Sequence, residues 1–278
     1  MIHCKHLFDQ GCASIVNKIF FLLGISLCLP ILAFPLSTYA YPFDLPEEII
    51  HDYKHYFECQ NLYKPLIGLA ISGGLANTTV DRHLQTIWQN DLQGEFGNHL
   101  AEGFTNVGDL TQYYYAVPGY IAAMALGGML SNELSQWGNY CLRTLILGGP
   151  QQFFLTHFLG SGRPENGGSH WHLFQQQAAV SGHAFYGAIP LLALAHQSQN
   201  IYFKALWYGV SCLPGLARVY QNKHYSSQAF LGWWLAFTAM QAVSQTSPIS
   251  PIHFSDKNFA WQLSLQDDTV FLGWAIKI

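Results

Sequence analysis

Three short stretches of this 278-residue chain hold the residue types that handle phosphoryl groups. The first is Gly160-Ser161-Gly162-Arg163-Pro164. The second is Val180-Ser181-Gly182-His183, and the third runs from Ala217-Arg218 through Lys223-His224 to Gln228. Arginine offers a planar, permanently charged fork whose N–H groups match phosphate oxygens. Two imidazoles can divide a transfer reaction, one attacking phosphorus and the other protonating the leaving oxygen. Where Ser181-Gly182-His183 opens a helix, free backbone N–H groups and the positive end of the helix dipole add affinity for an anion. Donors gathered in one pocket would stabilise the transferring group electrostatically.

Such a pocket forms only if helices bring the stretches together. No Asp, Glu, Lys or Arg occurs over residues 110–132, 144–162, 166–203 or 224–255. The pattern predicts six core helices, over residues 62–75, 114–130, 140–159, 181–196, 201–216 and 226–243, with a kink or stop at Pro214. The first stretch closes the helix at 140–159 and the second opens the next one. That helix leaves the end where both stretches sit, and the helix at 201–216 returns to it. Arg163, His183, Arg218 and His224 are therefore expected at one end of the bundle. Several of the segments are long enough to span a bilayer. They equally fit buried helices of a compact bundle, because Gly and polar residues interrupt them.

Half of the residues are hydrophobic and 10% are charged, against about 25% in an average soluble domain. This excludes intrinsic disorder and an extended charged coiled coil. A mean hydropathy of +0.14 is too low for a chain made only of lipid-facing helix. With a net charge of −4 and 12 Lys and Arg there is no basic field, so nucleic acid is not an expected partner. Lys5 and Lys18 precede an uncharged run over residues 19–36, and Ser37-Thr38-Tyr39-Ala40 follows it. That is the layout of a bacterial-type secretory signal, with an uncleaved anchor as the alternative. Residues 80–109 are polar and predict a helix and a loop, with Trp88, Leu92, Phe96 and Leu100 at four-residue spacing. Arg82 stands there against Asp81, Asp91, Glu95, Glu102 and Asp109, a poor match to a cytoplasmic loop. Beyond Pro251, Trp261, Leu263 and Leu265, and then Val270, Leu272, Trp274 and Ile276, alternate at period two and predict a β-hairpin. The expected organisation is a signal peptide or anchor at 1–40, a helical catalytic domain at 41–246 and a hairpin extension at 247–278. The six cysteines form no CxxC pair and suit neither a disulfide framework nor a zinc site; Cys141 and Cys212 read as small core residues.

In order and placement the three stretches resemble the motifs of the type 2 phosphatidic acid phosphatase superfamily, the acid phosphatase–haloperoxidase group: K-x6-R-P, P-S-G-H and S-R-x5-H-x3-D. Arg163-Pro164, Ser181-Gly182-His183, and Arg218 with His224 occupy matching positions, and the resemblance covers residues 62–245. It implies an all-α six-helix bundle, embedded in or associated with a membrane, and chemistry without metal or other cofactor. It further implies that His224 is the nucleophile that becomes a phosphohistidine and His183 the general acid. Arg163, Arg218, Ser181 and Gly182 would hold the phosphate. The chain departs from the pattern at Thr156, where the family has Lys, and at Val180 and Ala217, where it has Pro and Ser. It departs again at Gln228, where the family's Asp orients the nucleophilic imidazole and stabilises its cation. Four residues after His224, Gln228 would face the same side of a helix and orient the ring without charge. In a serine-protease triad the analogous loss of the Asp charge costs about 10⁴ in turnover. His157, beside Thr156, and Lys223, beside His224, are the candidates to replace the missing Lys.

The expected activity is metal-independent hydrolysis of a phosphomonoester or pyrophosphate, with a lipid as the favoured carrier. Two alternatives stay open. One is phosphate transfer to a lipid acceptor. The other is a binding or scaffold protein with little or no turnover, the reading that Thr156 and Gln228 favour. The expected partners are a phosphorylated small molecule or lipid and a membrane; the expected location is a bacterial inner membrane or periplasm, with the site facing the periplasm. Plainer roles compete for some residues. Ser181 is a good helix N-cap. His170-Trp171-His172 lacks nearby carboxylates and the i, i+4 spacing of a zinc pair, and reads as a loop bordering the site entrance. Gly160-Ser161-Gly162 lacks the Gly-Lys-Ser/Thr of a P-loop. Tyr113, Tyr114, Tyr115, Trp233 and Trp234 suit an interface belt or a core.

Overall fold

The computed structural model describes residues 44–246 and the backbone of two strand segments, 259–266 and 269–276. The expected signal or anchor at 1–40 lies outside the described residues. The chain order is α1 (Leu45–Tyr56), α2 (Tyr63–Ala76), α3 (Val80–Asn90), α4 (Glu95–Leu110), α5 (Tyr113–Leu130) and α6 (Asn132–Leu159), then a 3₁₀ turn (Pro164–Asn166). It continues with α7 (Gly182–Gln197), α8 (Ile201–Ser211), α9 (Leu213–Tyr220) and α10 (Ser226–Thr246). The strands β1 (Phe259–Gln266) and β2 (Thr269–Ile276) pair antiparallel, with Trp261 opposite Trp274.

The fold is mainly helical, but its helices outnumber the six expected. α1 had no counterpart in the hydrophobic pattern; Asp44 caps it by accepting the Glu47 N–H at 3.4 Å, and Pro46 preorganises its first turn. The polar stretch 80–109 forms α3 and α4 rather than one helix and a loop. α6 begins well before residue 140, because Ser131 caps it by accepting the Leu134 N–H. The expected helix 201–216 divides at Cys212 into α8 and α9, with Pro214 inside the first turn of α9. Proline has no N–H for the preceding turn, so it fits the start of a helix and not the middle.

Pro150 nevertheless sits within α6. It cannot donate to the carbonyl of Ile146, one turn earlier, and the Tyr53 hydroxyl of α1 donates there instead at 2.8 Å. A second α1–α6 link is ionic. Arg143, buried in α6, donates from Nε and Nη2 to Asp52 at 2.8 and 2.6 Å, with Glu48, Asn139 and Thr246 around it. Thr246 closes α10, so one guanidinium ties three helices together.

α10 is central, packing on α7, α2, α6, α9 and α1. Its Leu231, Leu235, Ala239 and Met240 meet Phe185, Ile189 and Leu192 of α7 and Leu142 and Leu145 of α6 in one buried cluster. Burying each large aliphatic or aromatic side chain is worth about 1.5–3 kcal/mol, so this seam holds α7 and α10 in fixed relation. Among the described residues no helix is long and apolar enough to cross a membrane, which corrects the expectation from run length. α6 has the length but carries Glu133, Asn139, Arg143, Gln151 and Gln152, while four tyrosines lower the hydropathy of α5.

Candidate active site

α6 stops at Gly160, whose φ of +60° turns the chain back. A Cβ there would stand 1.9 Å from the His172 carbonyl oxygen, so the close approach requires glycine. The returning loop is pinned by His172 N–H to the Gly160 carbonyl (2.7 Å) and Phe174 N–H to that of Phe158 (3.2 Å). At the start of α7, Ser181 accepts the Ala184 N–H at 3.4 Å as N-cap. Its own N–H donates to the Gln228 carbonyl of α10 at 3.0 Å.

The Arg218–His224 turn is built by backbone and clamped from α3 and the turn that follows it. The N–H groups of Lys223 and His224 donate to the Arg218 carbonyl at 2.9 and 3.2 Å, and Asn222 takes a left-handed φ of 58°. Gln85 donates to the Asn222 side chain. Gln89 donates to the carbonyls of Val219 (3.2 Å) and Tyr220 (3.1 Å), and Gln93 to that of Tyr220 (3.0 Å). The first turn of α10 is held by Asp81, which accepts the Ser227 N–H at 3.0 Å and its hydroxyl.

His224 is 6% exposed and lies at the centre of this assembly. Its Nδ1 is 2.8 Å from Gln228 Oε1, which also accepts the Tyr225 N–H at 3.1 Å. Gln228 Nε2 donates to the Gly162 carbonyl at 2.7 Å and to Ser161 Oγ at 2.9 Å. A carbonyl only accepts, so these bonds fix which end of the amide is nitrogen. The amide oxygen therefore faces His224, and Nδ1 must carry the proton, leaving the Nε2 lone pair free. Burial, chiefly, pushes the His224 pKa down to about 4; the Gln228 hydrogen bond opposes this, and Arg163, Arg218 and His183 add to the fall. The ring is neutral at neutral pH.

His183 differs. Its Nε2 is 2.9 Å from Asp109 Oδ1 at the end of α4. Burial, chiefly, and the fields of Arg218 and Arg163 lower its pKa, and the Asp109 carboxylate opposes the fall without reversing it. Arg218 donates from Nη1 to Gln221 Oε1 at 3.0 Å, and Gln221 in turn accepts from Thr105 at 3.0 Å. Arg218 Nε is buried with no hydrogen-bond partner.

Arg163, His183, Arg218 and His224 thus lie within one electrostatic neighbourhood, with Ser181 and Gly182 at the same helix end and Gln228 linking the loop after α6 to α10. Thr156 does not bring charge to it. Its hydroxyl donates to the Gln152 carbonyl at 2.7 Å and lies 3.4 Å from that of Val180, bracing the residue before Ser181. His157 Nδ1 rests on the Phe153 carbonyl at 2.8 Å, and Lys223 reaches Glu165 at 3.9 Å. The Trp171 ring lies against Gly73 and its backbone N–H donates to Asn77 Oδ1 at 3.0 Å, so the His170–His172 loop docks on the end of α2. Among the described residues no three His, Cys, Asp or Glu gather as metal ligands.

Sequence reasoning passed over Asp109, Gln221 and the α3 clamp. Two signals were available. Gln85 and Gln89 stand one turn apart on α3, with Gln93 four residues further on, and Asp109 stands in the last turn of a helix, where the dipole disfavours an acid.

A neutral imidazole of fixed tautomer, an imidazole on a carboxylate and two guanidiniums thus stand together at one end of a helical bundle. The family model described as the PAP2 superfamily matches residues 119–250, the segment that holds Arg163, His183, Arg218 and His224. That superfamily generally comprises phosphatases. No curated protein and no solved structure matches the chain.

Proposed function

We propose that the protein is a metal-independent phosphatase that hydrolyses a phosphomonoester or pyrophosphate through a phosphohistidine on His224. The observation that carries this reading is the amide of Gln228, anchored on Gly162, which fixes the His224 proton on Nδ1. Nε2 is then a neutral nucleophile. Its lone pair forms the N–P bond as the P–O bond to the leaving group breaks, and the leaving oxygen takes a proton from His183. Water then attacks phosphorus, the N–P bond breaks, and the proton of water passes to His183. Arg163, Arg218 and the free N–H groups at the start of α7 would hold the phosphoryl oxygens. The unpartnered Arg218 Nε is a buried donor awaiting such an oxygen. The two imidazoles differ in partner, an amide oxygen for His224 and a carboxylate for His183, which suits separate nucleophile and acid roles.

A lipid carrier and an exported location, at a bacterial inner membrane or in the periplasm, belong to the same proposal. Their support is the uncharged run at 19–36 and an aromatic rim. Tyr186 lies against Gly182, the field of Tyr113 acts on it, and Tyr113, Tyr114 and Tyr115 are exposed.

The test is turnover of p-nitrophenyl phosphate and of phosphatidic acid in detergent micelles by the purified protein in chelator. Both are expected, and both are expected to vanish in His224→Ala; turnover that survives that substitution excludes the nucleophile. A second reading, phosphate binding with little turnover, is favoured by the uncharged Thr156 and Gln228. Vanadate would then raise the melting temperature of wild type, and not of Arg218→Ala, without turnover.

A further inference from the structure

We propose that Asp109 is a positioning residue for the general acid, gripping His183 at Nε2 so that the opposite edge of the ring presents the proton for the leaving oxygen. The inference rests on the phosphohistidine reading above, which leaves His183 as the acid. It adds a residue outside the segment that the family model matches, residues 119–250.

Three observations converge. The Nε2 to Oδ1 distance is 2.9 Å, and Gln112 Nε2 holds the same oxygen at 3.2 Å. Next, the neighbouring Gly108 brings the α4 backbone against the ring: a Cβ there would lie 2.7 Å from His183 Cδ2 and 3.1 Å from its Cβ. The Cδ2–Nε2 edge is thus fixed on α4, and the Nδ1 edge faces away from it. Finally, the charges around His183 are Arg218 of α9, Arg163 of the loop after α6 and Asp109 of α4, and Asp109 alone is negative. His224 ahead of α10 is neutral, and Tyr186 on the ring's own helix has its pKa pushed up to about 12, so neither offsets the arginines.

The consequence is a division of labour unlike a carboxylate on the nucleophile. The amide of Gln228 leaves His224 neutral and ready to attack, while the one carboxylate supports protonation of the imidazole that must give up a proton. After the transfer to the leaving oxygen, His183 is left neutral with its remaining proton on Nε2, shared with Asp109. This explains an acid kept in the last turn of α4 against the helix dipole. Asp109 is half exposed, so its replacement leaves the core untouched.

The experiment is a pH titration of ¹⁵N-histidine-labelled protein by NMR, with the His183 signals assigned through His183→Gln. In Asp109→Asn the His183 midpoint is expected to move to lower pH. In the same variant, kcat/KM on p-nitrophenyl phosphate at pH 7.5 is expected to fall about 10- to 100-fold, carried by kcat. Its alkaline limb should move to lower pH, with partial recovery in Asp109→Glu. An unchanged His183 midpoint, or the same loss at every pH, overturns the proposal. Because the titration needs no substrate, it judges the pair even if His224→Ala retains turnover and the nucleophile is lost.

Discussion

Gln228 Nε2 donates to the carbonyl of Gly162 across 2.7 Å, and that single bond dictates that its amide oxygen faces His224. Glutamine here is more than a weakened aspartate. It joins the loop after α6 to α10 while setting the tautomer of the buried imidazole. Aspartate would place a carboxylate near a carbonyl oxygen, with no donor for Gly162 or Ser161.

Gln228→Asp is therefore expected to lower kcat/KM at least about tenfold, and restoring the family's residue will not restore rate. Fully buried, it would also lose about 1–3 kcal/mol of stability as the Gly162 carbonyl goes unpaired. Steady-state kinetics and urea denaturation measure the two effects. A rise in kcat/KM would contradict the bridging role.

Acid should destabilise the protein between the ordinary histidine range and pH 4. Burial pushes His224 and His196 from 6.5 down to about 4. As pH falls below 6.5 the unfolded chain binds protons first, so the stability present above 6.5 is lost progressively down to about 4. Each group contributes at most about 3 kcal/mol by this route. The melting temperature should fall over that window and less steeply in His224→Gln. If His224 is the nucleophile as proposed, the acid limb of kcat/KM should likewise lie near pH 4.

Gly108→Ala tests the contact between α4 and His183, the proposed general acid. The added methyl would stand 2.7 Å from His183 Cδ2, so the ring must move. A displacement on the order of 1 Å costs about 10²-fold in rate, whereas alanine within a helix gains up to about 1 kcal/mol over glycine. The expected result is a large loss of kcat with a melting temperature close to wild type. Unchanged kcat would show that the ring can shift without consequence.

Asp52→Ala should be the most damaging substitution far from the pocket. It strands the buried Arg143 guanidinium, whose two bonds to Asp52 are 2.8 and 2.6 Å, and is expected to cost about 3–5 kcal/mol. Equilibrium denaturation measures this. A loss below about 1 kcal/mol would mean that Glu48 and Thr246 suffice to hold the charge.

That Arg163, His183, Arg218 and His224 would meet was legible in the chain. Arg163, His183, Arg218 and His224 lie at the ends of helix-length apolar runs, and counting those helices puts them at one end of the bundle whatever the packing angles. The His224–Gln228 pair was legible for the same reason, since four residues on a helix is a local distance. Ser131 and Pro214 also carried their signals locally, as a cap and a breaker, although the division at Cys212 and the early start of α6 exceeded what the hydrophobic runs indicated. Tertiary structure alone decided which of the many polar residues in α1, α3 and α4 would be used. Asp52 meets Arg143 91 residues away, and Asp109 meets His183 74 residues away. In sequence each such acid looks like part of a solvated face, because a carboxylate shows nothing locally of the distant cation or imidazole that packing will bring to it. The amide orientation of Gln228 was likewise settled by the Gly162 carbonyl, which reaches it only when the loop after α6 folds back.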